Sequence, residues 1–297
     1  MYTAREILSG VREPQKIVLE LNRLYHRELL GQTGIRMMDE DWDNLLVLDA
    51  CRYDLFEQVS TLDGELRSVT STDSSTSGFL QHNFQDRYYP DTVYVSANPQ
   101  VQRHDVGKRF HDCIRLWEDD WDAELRTVRP EDVTDRALDV HEQYPNKRLI
   151  VHYIQPHYPF IGGTGQQIEH GSVTGDGVIR SERGVKSVWH QLEDGSLEKD
   201  VVWKAYRENL EVALPEVERL LSEIPGKSVV TSDHGNSFGE LGVYGHPGGI
   251  FLQSLVKVPW LERSGNTRKE IQSETTRQQD RDVDGDISDR LADLGYK

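Results

Sequence analysis

Two carboxylates and several histidines stand where apolar runs of this chain stop. In "SVVTSDHGNSFGELGVYGHP" (228–247) such a run ends at Asp233 and His234. A glycine follows, and His246 returns twelve residues after His234, between Gly245 and Pro247. In "NLLVLDAC" (44–51) a second run ends at Asp49, and in "KRLIVHYIQPHYPF" (147–160) a third carries His152 and runs into Gln155-Pro156-His157. Carboxylate and imidazole together suit a hard-to-borderline divalent cation such as Mg²⁺, Mn²⁺ or Zn²⁺. Each alone reads more simply: an Asp after a strand caps a helix or forms a turn, and a lone histidine makes a structural hydrogen bond. The glycine after His234 lets the backbone turn sharply enough for both side chains to face one ion.

A cation needs something to act on. "RSVTSTDSSTSGFLQHNF" (67–84) packs serines and threonines just before the apolar helix start at Phe79-Leu80. A hydroxyl at a helix N-terminus sits where the helix dipole and free N–H groups favour an anion. A neighbouring cation lowers its pKa and makes it a nucleophile. For any single member of the cluster, an ordinary helix cap is the simpler role.

The elements that must position these groups alternate between strand and helix. "PQKIVLELNRLYHRELL" (14–30) reads as an amphipathic helix opened by Pro14. Strands are expected at 45–48, 91–99, 149–154 and 229–232, with a further one in 254–262. "CRYDLFEQV" starts a helix, 129–145 is a well-marked one, and 197–227 is a long helical pattern that Pro215 should kink or divide. The closing "DISDRLADLGYK" is a short terminal helix. Short apolar strands between helices predict an α/β fold with a mainly parallel sheet covered on both faces. In such sheets ligands bind beyond the carboxyl ends of the strands, so Asp49, His157 and the Asp233-His234 pair gather on one rim. Residues 1–41 read as an N-terminal helical extension and 42–297 as the catalytic domain. Within it, 161–198 is expected as a surface loop or lid and 263–286 as a polar linker.

The chain has 297 residues, 36% hydrophobic and 29% charged, with a formal net charge of −17. That charge repels nucleic acid and anionic membrane surfaces. Spread along the chain and joined to an excess of arginine over lysine, it suits high salt; an ordinary acidic cytosolic protein is the plainer alternative. The two cysteines, Cys51 and Cys113, form no metal-ligand spacing and no disulfide framework. No apolar run reaches membrane-spanning length. A soluble, cytoplasmic protein with no integral membrane segment is expected.

"LLVLDACRYD", the Ser/Thr cluster, "HYIQPHYPF", "VVTSDHGNSFGE", "GHP" and "VKVPWL" stand in the order seen in the alkaline phosphatase/sulfatase superfamily, and the chain resembles its sulfatase-like branch over roughly residues 42–262. The ending "RLADLGYK" is similar to that of many sulfatase-like proteins. The resemblance implies an alkaline-phosphatase-like α/β/α sandwich. It also implies metal-dependent cleavage or transfer of phosphate or sulfate esters through a covalent intermediate. By it, Asp49, Asp233 and His234 look like metal ligands. His246 resembles a downstream histidine that binds a second metal or the substrate oxyanion, and His157 resembles the substrate-contacting histidine of a PHxP motif. Thr76 looks like the nucleophile and a further metal ligand, with Ser75, Ser77 and Ser74 behind it. Ser75, Ser77 and His152 are expected at the substrate; Arg52, with Asp54, is expected either there or behind the metal ligands, and a helix-start salt bridge between the two is the equal alternative.

Two departures matter. The formylglycine motif of true sulfatases is missing, which favours phosphate over sulfate esters. Gln155 stands where relatives often carry an Asp, which argues against a second metal site. The expectation is one divalent ion (Mn, Mg, Zn or Ca) and a hydrolase or transferase acting on small-molecule, glycan- or lipid-linked esters. The alternatives are a sulfuric ester hydrolase or a degenerate binding scaffold of the same fold.

Overall fold

The computed structural model describes residues 14–26, 34–168, 172–173, 179–180, 186–265, 267–273 and 287–296. Seven strands build the central sheet: β1 (Asn44–Leu48), β2 (Glu65–Thr70), β3 (Tyr89–Ser96), β4 (Phe110–Arg115), β5 (Arg148–Tyr153), β6 (Ser228–Thr231) and β7 (Lys257–Arg263). They lie in the order β2-β7-β6-β1-β5-β3-β4. The run β6-β1-β5-β3-β4 is parallel, and β7 pairs antiparallel with both β6 and β2. In β1, Val47 is level with Thr231 of β6 on one side and His152 of β5 on the other. The segments that follow β6 and β1 therefore leave the sheet beside His152.

Two buried cores lie on the two sheet faces, as the two-residue alternation of a strand requires. Leu46, Leu48, Val151 and Val230 enter one core, while Leu45, Val47, Ile150 and Val229 enter the other. Strands buried on both faces read as unbroken apolar runs, which is why β1 and β6 stand out in the sequence. The major helices are α1 (Pro14–Leu24), α2 (Tyr53–Val59), α3 (Thr76–Phe84), α4 (Pro130–Gln143), α5 (Lys199–Glu223) and α6 (Ser288–Asp293). α2, α4, α5 and α6 supply Leu55, Val133, Leu210 and Leu291 to the first core; α3 supplies Phe79, Leu80 and Phe84 to the second. Each such fully buried side chain contributes about 1.5–3 kcal/mol relative to exposure.

The expected fold class, a mainly parallel sheet with helices on both faces, is the one observed. Several elements differ in detail. Pro215 neither ends nor divides α5, which is one helix throughout. Pro215 and Glu211 lie on its exposed face, where water can take the Glu211 carbonyl that a proline leaves unpaired. The segment 254–262 divides into a short helix, Gln253–Val256, and β7. β2 and β4 were not anticipated; both are edge strands with polar, half-exposed sequences, so neither carries an apolar run. Cys51 and Cys113 are free thiols. Among the described residues no helix is long and apolar enough to cross a membrane. Within the expected loop 161–198, residues 169–171, 174–178 and 181–185 lie outside the described residues, as do 266 and 274–286 of the expected linker and 27–30 of the first helix.

Gly235 is needed for a different reason than a sharp turn. It is not among the glycines with positive φ. A Cβ there would stand 2.2 Å from the Ser254 carbonyl oxygen, and the Gly235 N–H donates to Leu255 at 2.6 Å. Close backbone approach, not a left-handed φ, fixes this glycine. Gly235→Ala is expected to destabilise the protein by about 1–3 kcal/mol through overpacking. An unchanged denaturation midpoint would show that the Ser254 segment yields freely.

Candidate metal centre

Adjacent parallel strands deliver the polar groups. Asp233 and His234 follow β6, Asp49 follows β1, His152 lies within β5, and Asn98 follows β3. Asp49, His152 and Asp233 bring ligand atoms within 4.8 Å of one another, and all three are buried. His234 joins them, its Nε2 lying 3.4 Å from Asp233 Oδ2 and 3.7 Å from Asp49 Oδ1. From the other side comes α3. Ser75 caps it by accepting from the Gly78 N–H, and Thr76, its first residue, turns its hydroxyl into the cluster. Thr76 Oγ1 lies 2.8 Å from Asp233 Oδ2 and 3.1 Å from His234 Nε2.

Hydrogen bonds fix what each group presents. The His234 Nδ1–H donates to the Gly235 carbonyl at 2.8 Å, leaving Nε2 with its lone pair toward the carboxylates. Asp233 Oδ1 accepts from the N–H groups of Ala50 (2.9 Å) and His234 (2.8 Å), so Oδ2 faces Thr76. Asp49 Oδ2 accepts from Asn98 Nδ2 and, at 3.1 Å, from the Tyr296 hydroxyl, while Asp49 Oδ1 has no hydrogen-bond partner. His152 Nδ1 pairs with the Tyr94 hydroxyl at 2.9 Å; its Nε2 has no such partner and lies 3.6 Å from Asp49 Oδ2.

This inventory is short of protons. Asp49 Oδ1, Asp233 Oδ2, His234 Nε2 and Thr76 Oγ1 converge, and the Thr76 hydroxyl carries a single hydrogen for all of them. Among the described residues the basic side chains within 4 Å of either carboxylate are histidines, with no lysine or arginine. Burial, with the charge of Asp233 beside it, pushes the Asp49 carboxyl well above its ordinary value, and burial raises Asp233 too. Burial holds His152 and His234 down to about 4, so both rings are neutral near pH 7. Two buried acids, neutral imidazoles and an orphaned carboxylate oxygen form a donor set that fits a divalent cation.

The other expected residues fall into two groups. His157 and His246 are near the cluster: their Nε2 atoms are 2.9 Å apart, and the His246 ring stacks on His234 at 4.5 Å. The His157 Nδ1–H donates to the Tyr158 carbonyl, so its Nε2 accepts and His246 donates. Burial lowers both pKa values well below 6.5, His157 also through its neighbour His246. Ser75 and Ser77, expected at the substrate, are engaged elsewhere, and Arg52 takes the salt-bridge alternative. Arg52 pairs with Asp54 (2.6 Å) and Glu240 (2.7 Å) over the Trp203 ring. Ser75 donates to Asp73 at 2.8 Å, Ser77 meets His104 Nε2 at 2.8 Å, and Ser74 donates to the Pro247 carbonyl at 2.8 Å. Gln155 is buried and donates to the Val128 carbonyl at 3.2 Å. His152, also set at the substrate, stands with the carboxylates instead.

Asn98 and Tyr296 escaped notice in the sequence. The Tyr296 hydroxyl lies 3.1 Å from Thr76 Oγ1 and accepts from Asn98 Nδ2 at 2.9 Å. Asn98 ends a strand before a proline, the same signal that marks Asp49, but an amide there reads as a turn former.

No family model matches the chain, and no curated protein matches it. Solved structures do. The C-terminal periplasmic domain of phosphoethanolamine transferase EptC from Campylobacter jejuni aligns with 75% of this chain and 78% of its own, at 13% identity and a TM-score of 0.50. The soluble domain of lipooligosaccharide phosphoethanolamine transferase A from Neisseria meningitidis aligns with 75% of this chain and 76% of its own, at 12% identity and a TM-score of 0.51. A protein in the alkaline phosphatase superfamily from Vibrio parahaemolyticus aligns with 89% and 70% of the two chains at 12% identity and a TM-score of 0.39. At such identities the likeness is one of fold: the chain shares the α/β fold of these two transferase domains.

Proposed function

We propose that the protein is a metal-dependent enzyme that hydrolyses or transfers phosphate esters through Thr76. The observation that carries this reading is the Thr76 hydroxyl, buried at the start of α3 and within 2.8 Å of Asp233 and 3.1 Å of His234. Asp49, Asp233, His234 and His152 would hold one divalent cation, with the Thr76 oxygen turned toward it. When bound, such an ion neutralises developing negative charge and favours the ionised hydroxyl. Two solved domains with the same fold are phosphoethanolamine transferases, which supports phosphoryl chemistry. Lipid- or glycan-linked phosphate esters are the substrate class that follows.

Each side chain has a task that its contacts support. Thr76 Oγ1 attacks phosphorus; its proton passes to Asp233 Oδ2, the acceptor it already meets. The N-terminal end of α3 favours the negative phosphoryl group. His157 and His246 line the wall beside His234; the His157 N–H is held by the Tyr158 carbonyl, and the His246 Nε2–H, which His157 accepts, is the one of the pair that can turn to a substrate oxygen. Water, or an acceptor alcohol in a transfer, then releases the phosphoryl group from Thr76. Ser75, Ser74 and Asn98 hold α3, the loop at Pro247 and Asp49 in place.

Thr76→Ala is expected to lower turnover of 4-nitrophenyl phosphate or a phosphodiester analogue by on the order of 10³-fold or more, with folding intact. Thr76→Ser should keep measurable activity. Wild-type turnover by Thr76→Ala would exclude the nucleophile, and faster release from the sulfate ester than from both phosphates would reverse the substrate class.

Cation binding should depend on pH. Asp49 and Asp233 have folded pKa values raised above the ordinary 3.8. The metal-free native state therefore binds the extra proton, and its stability falls as pH rises through the raised values. A cation must displace that proton, so affinity and the metal-dependent rise in melting temperature should both be larger at about pH 8 than at about pH 5. Calorimetry in buffers of different ionisation enthalpy reads the released proton directly. Uptake with no proton release and no pH dependence would contradict this electrostatic description of the pair.

A further inference from the structure

Tyr296 has no part in the reaction described above, yet one oxygen of it touches three members of the site. The hydroxyl lies 3.1 Å from Thr76 Oγ1, donates to Asp49 Oδ2 at 3.1 Å and accepts from Asn98 Nδ2 at 2.9 Å. A specific turn carries it there. α6 closes with Gly295 at φ +77°, the Gly295 N–H on the Ala292 carbonyl at 3.0 Å and the Tyr296 N–H on the Leu291 carbonyl at 2.9 Å. That is the Schellman pattern, which reverses the chain at the helix end. A Cβ on Gly295 would meet only the Tyr158 ring, at 3.8 Å, so the glycine serves its φ and not close packing. Leu291 and Leu294 anchor the segment in the core. The tyrosine ring stacks on His157 at 5.3 Å and 21° and meets His246 edge-on at 6.0 Å. A side chain held this firmly has little freedom left to lose when it engages a ligand.

We propose that Tyr296 is a further catalytic residue, whose phenol donates a hydrogen bond to a non-bridging oxygen of the phosphoryl group carried by Thr76. This rests on the phosphoester reading above. As Oγ1 bonds to phosphorus the ester P–O bond to the leaving oxygen breaks, and the threonine proton is gone. The non-bridging oxygens are then new acceptors beside the phenol. Its O–H turns to one of them from Asp49 Oδ2, which keeps its Asn98 donor. Asn98 also donates to the phenol oxygen, which strengthens the phenol as a donor in its turn. Tyr296 keeps its proton throughout and neither gains nor loses charge.

Tyr296→Phe keeps the ring and its stacking and removes one oxygen. Inorganic phosphate binding to the metal-loaded protein, read by calorimetry, should weaken by about 10-fold or more, the loss expected for a hydrogen bond to a charged group. The kcat on 4-nitrophenyl phosphate should fall by a similar factor, with the native fold and metal stoichiometry retained. Wild-type phosphate affinity and kcat in the variant would overturn the proposal; so would a raised kcat, which would make the phenol an obstructing group. Thr76→Ala separates the two levels. If it turns over like the wild type, the phosphoester reading falls and Tyr296 with it. If it is inactive while Tyr296→Phe matches the wild type, the role of Tyr296 alone is wrong.

Discussion

Two carboxylates, Asp49 and Asp233, are enclosed together beyond the carboxyl ends of two central strands with no lysine or arginine paired to either among the described residues. Enclosing ionised acids without a counter-charge costs several kcal/mol each. A fold built for stability alone would place apolar side chains there. Here the neighbours work the other way: backbone N–H groups, Asn98 and Tyr296 fix the outer oxygens, and Asp49 Oδ1 and His152 Nε2 are left without a hydrogen-bond partner. The rest of the arrangement, from strand order to helix cap, holds these atoms in place.

The sheet supplies the precision. β6, β1, β5 and β3 lie side by side and parallel, so groups at or near their ends meet with no long loop to span. A rim of adjacent strand ends fixes side chains more tightly than a flexible loop can. α3 completes it from the opposite face. Phe79, Leu80 and Phe84 seat that helix in the second core, and the Ser75 cap sets where its first turn begins. The Thr76 hydroxyl is thus placed by packing some distance from it, which explains why Ser74, Ser75 and Ser77, only one or two residues away, point elsewhere.

How much of this was legible in the sequence follows from range. Asp49 and the Asp233-His234 pair show themselves because an apolar strand buried on both faces ends abruptly at a charged residue, a local signal. The start of α3 is equally local. Tyr296 is separated from Asp49 by most of the chain, and no spacing rule links a short terminal helix to a strand end; only the turn at Gly295 and the packing of Leu294 bring them together. Arg52 was open to two readings in the sequence, a substrate contact or a helix-start salt bridge with Asp54, and its further partners lie far along the chain. Close to Asp49 in sequence, it is drawn away by Asp54, Glu240 and Trp203, the last two of which only the fold reveals. Gly235 was rightly noticed, but the tight approach of Ser254 explains it better than a turn does. Edge strands β2 and β4 escaped because half-exposed strands carry no continuous apolar run.

The proposed metal site is formed by the converging oxygens of Asp49, Asp233 and Thr76 with the imidazole nitrogens of His152 and His234. Anomalous scattering from crystals of the protein grown with a divalent transition metal tests it most directly. One strong peak is expected among the carboxylates of Asp49 and Asp233 and the Nε2 atoms of His234 and His152, within coordination distance of Thr76 Oγ1. A site without a peak, or a peak that leaves Asp49 and Asp233 unliganded, would contradict it.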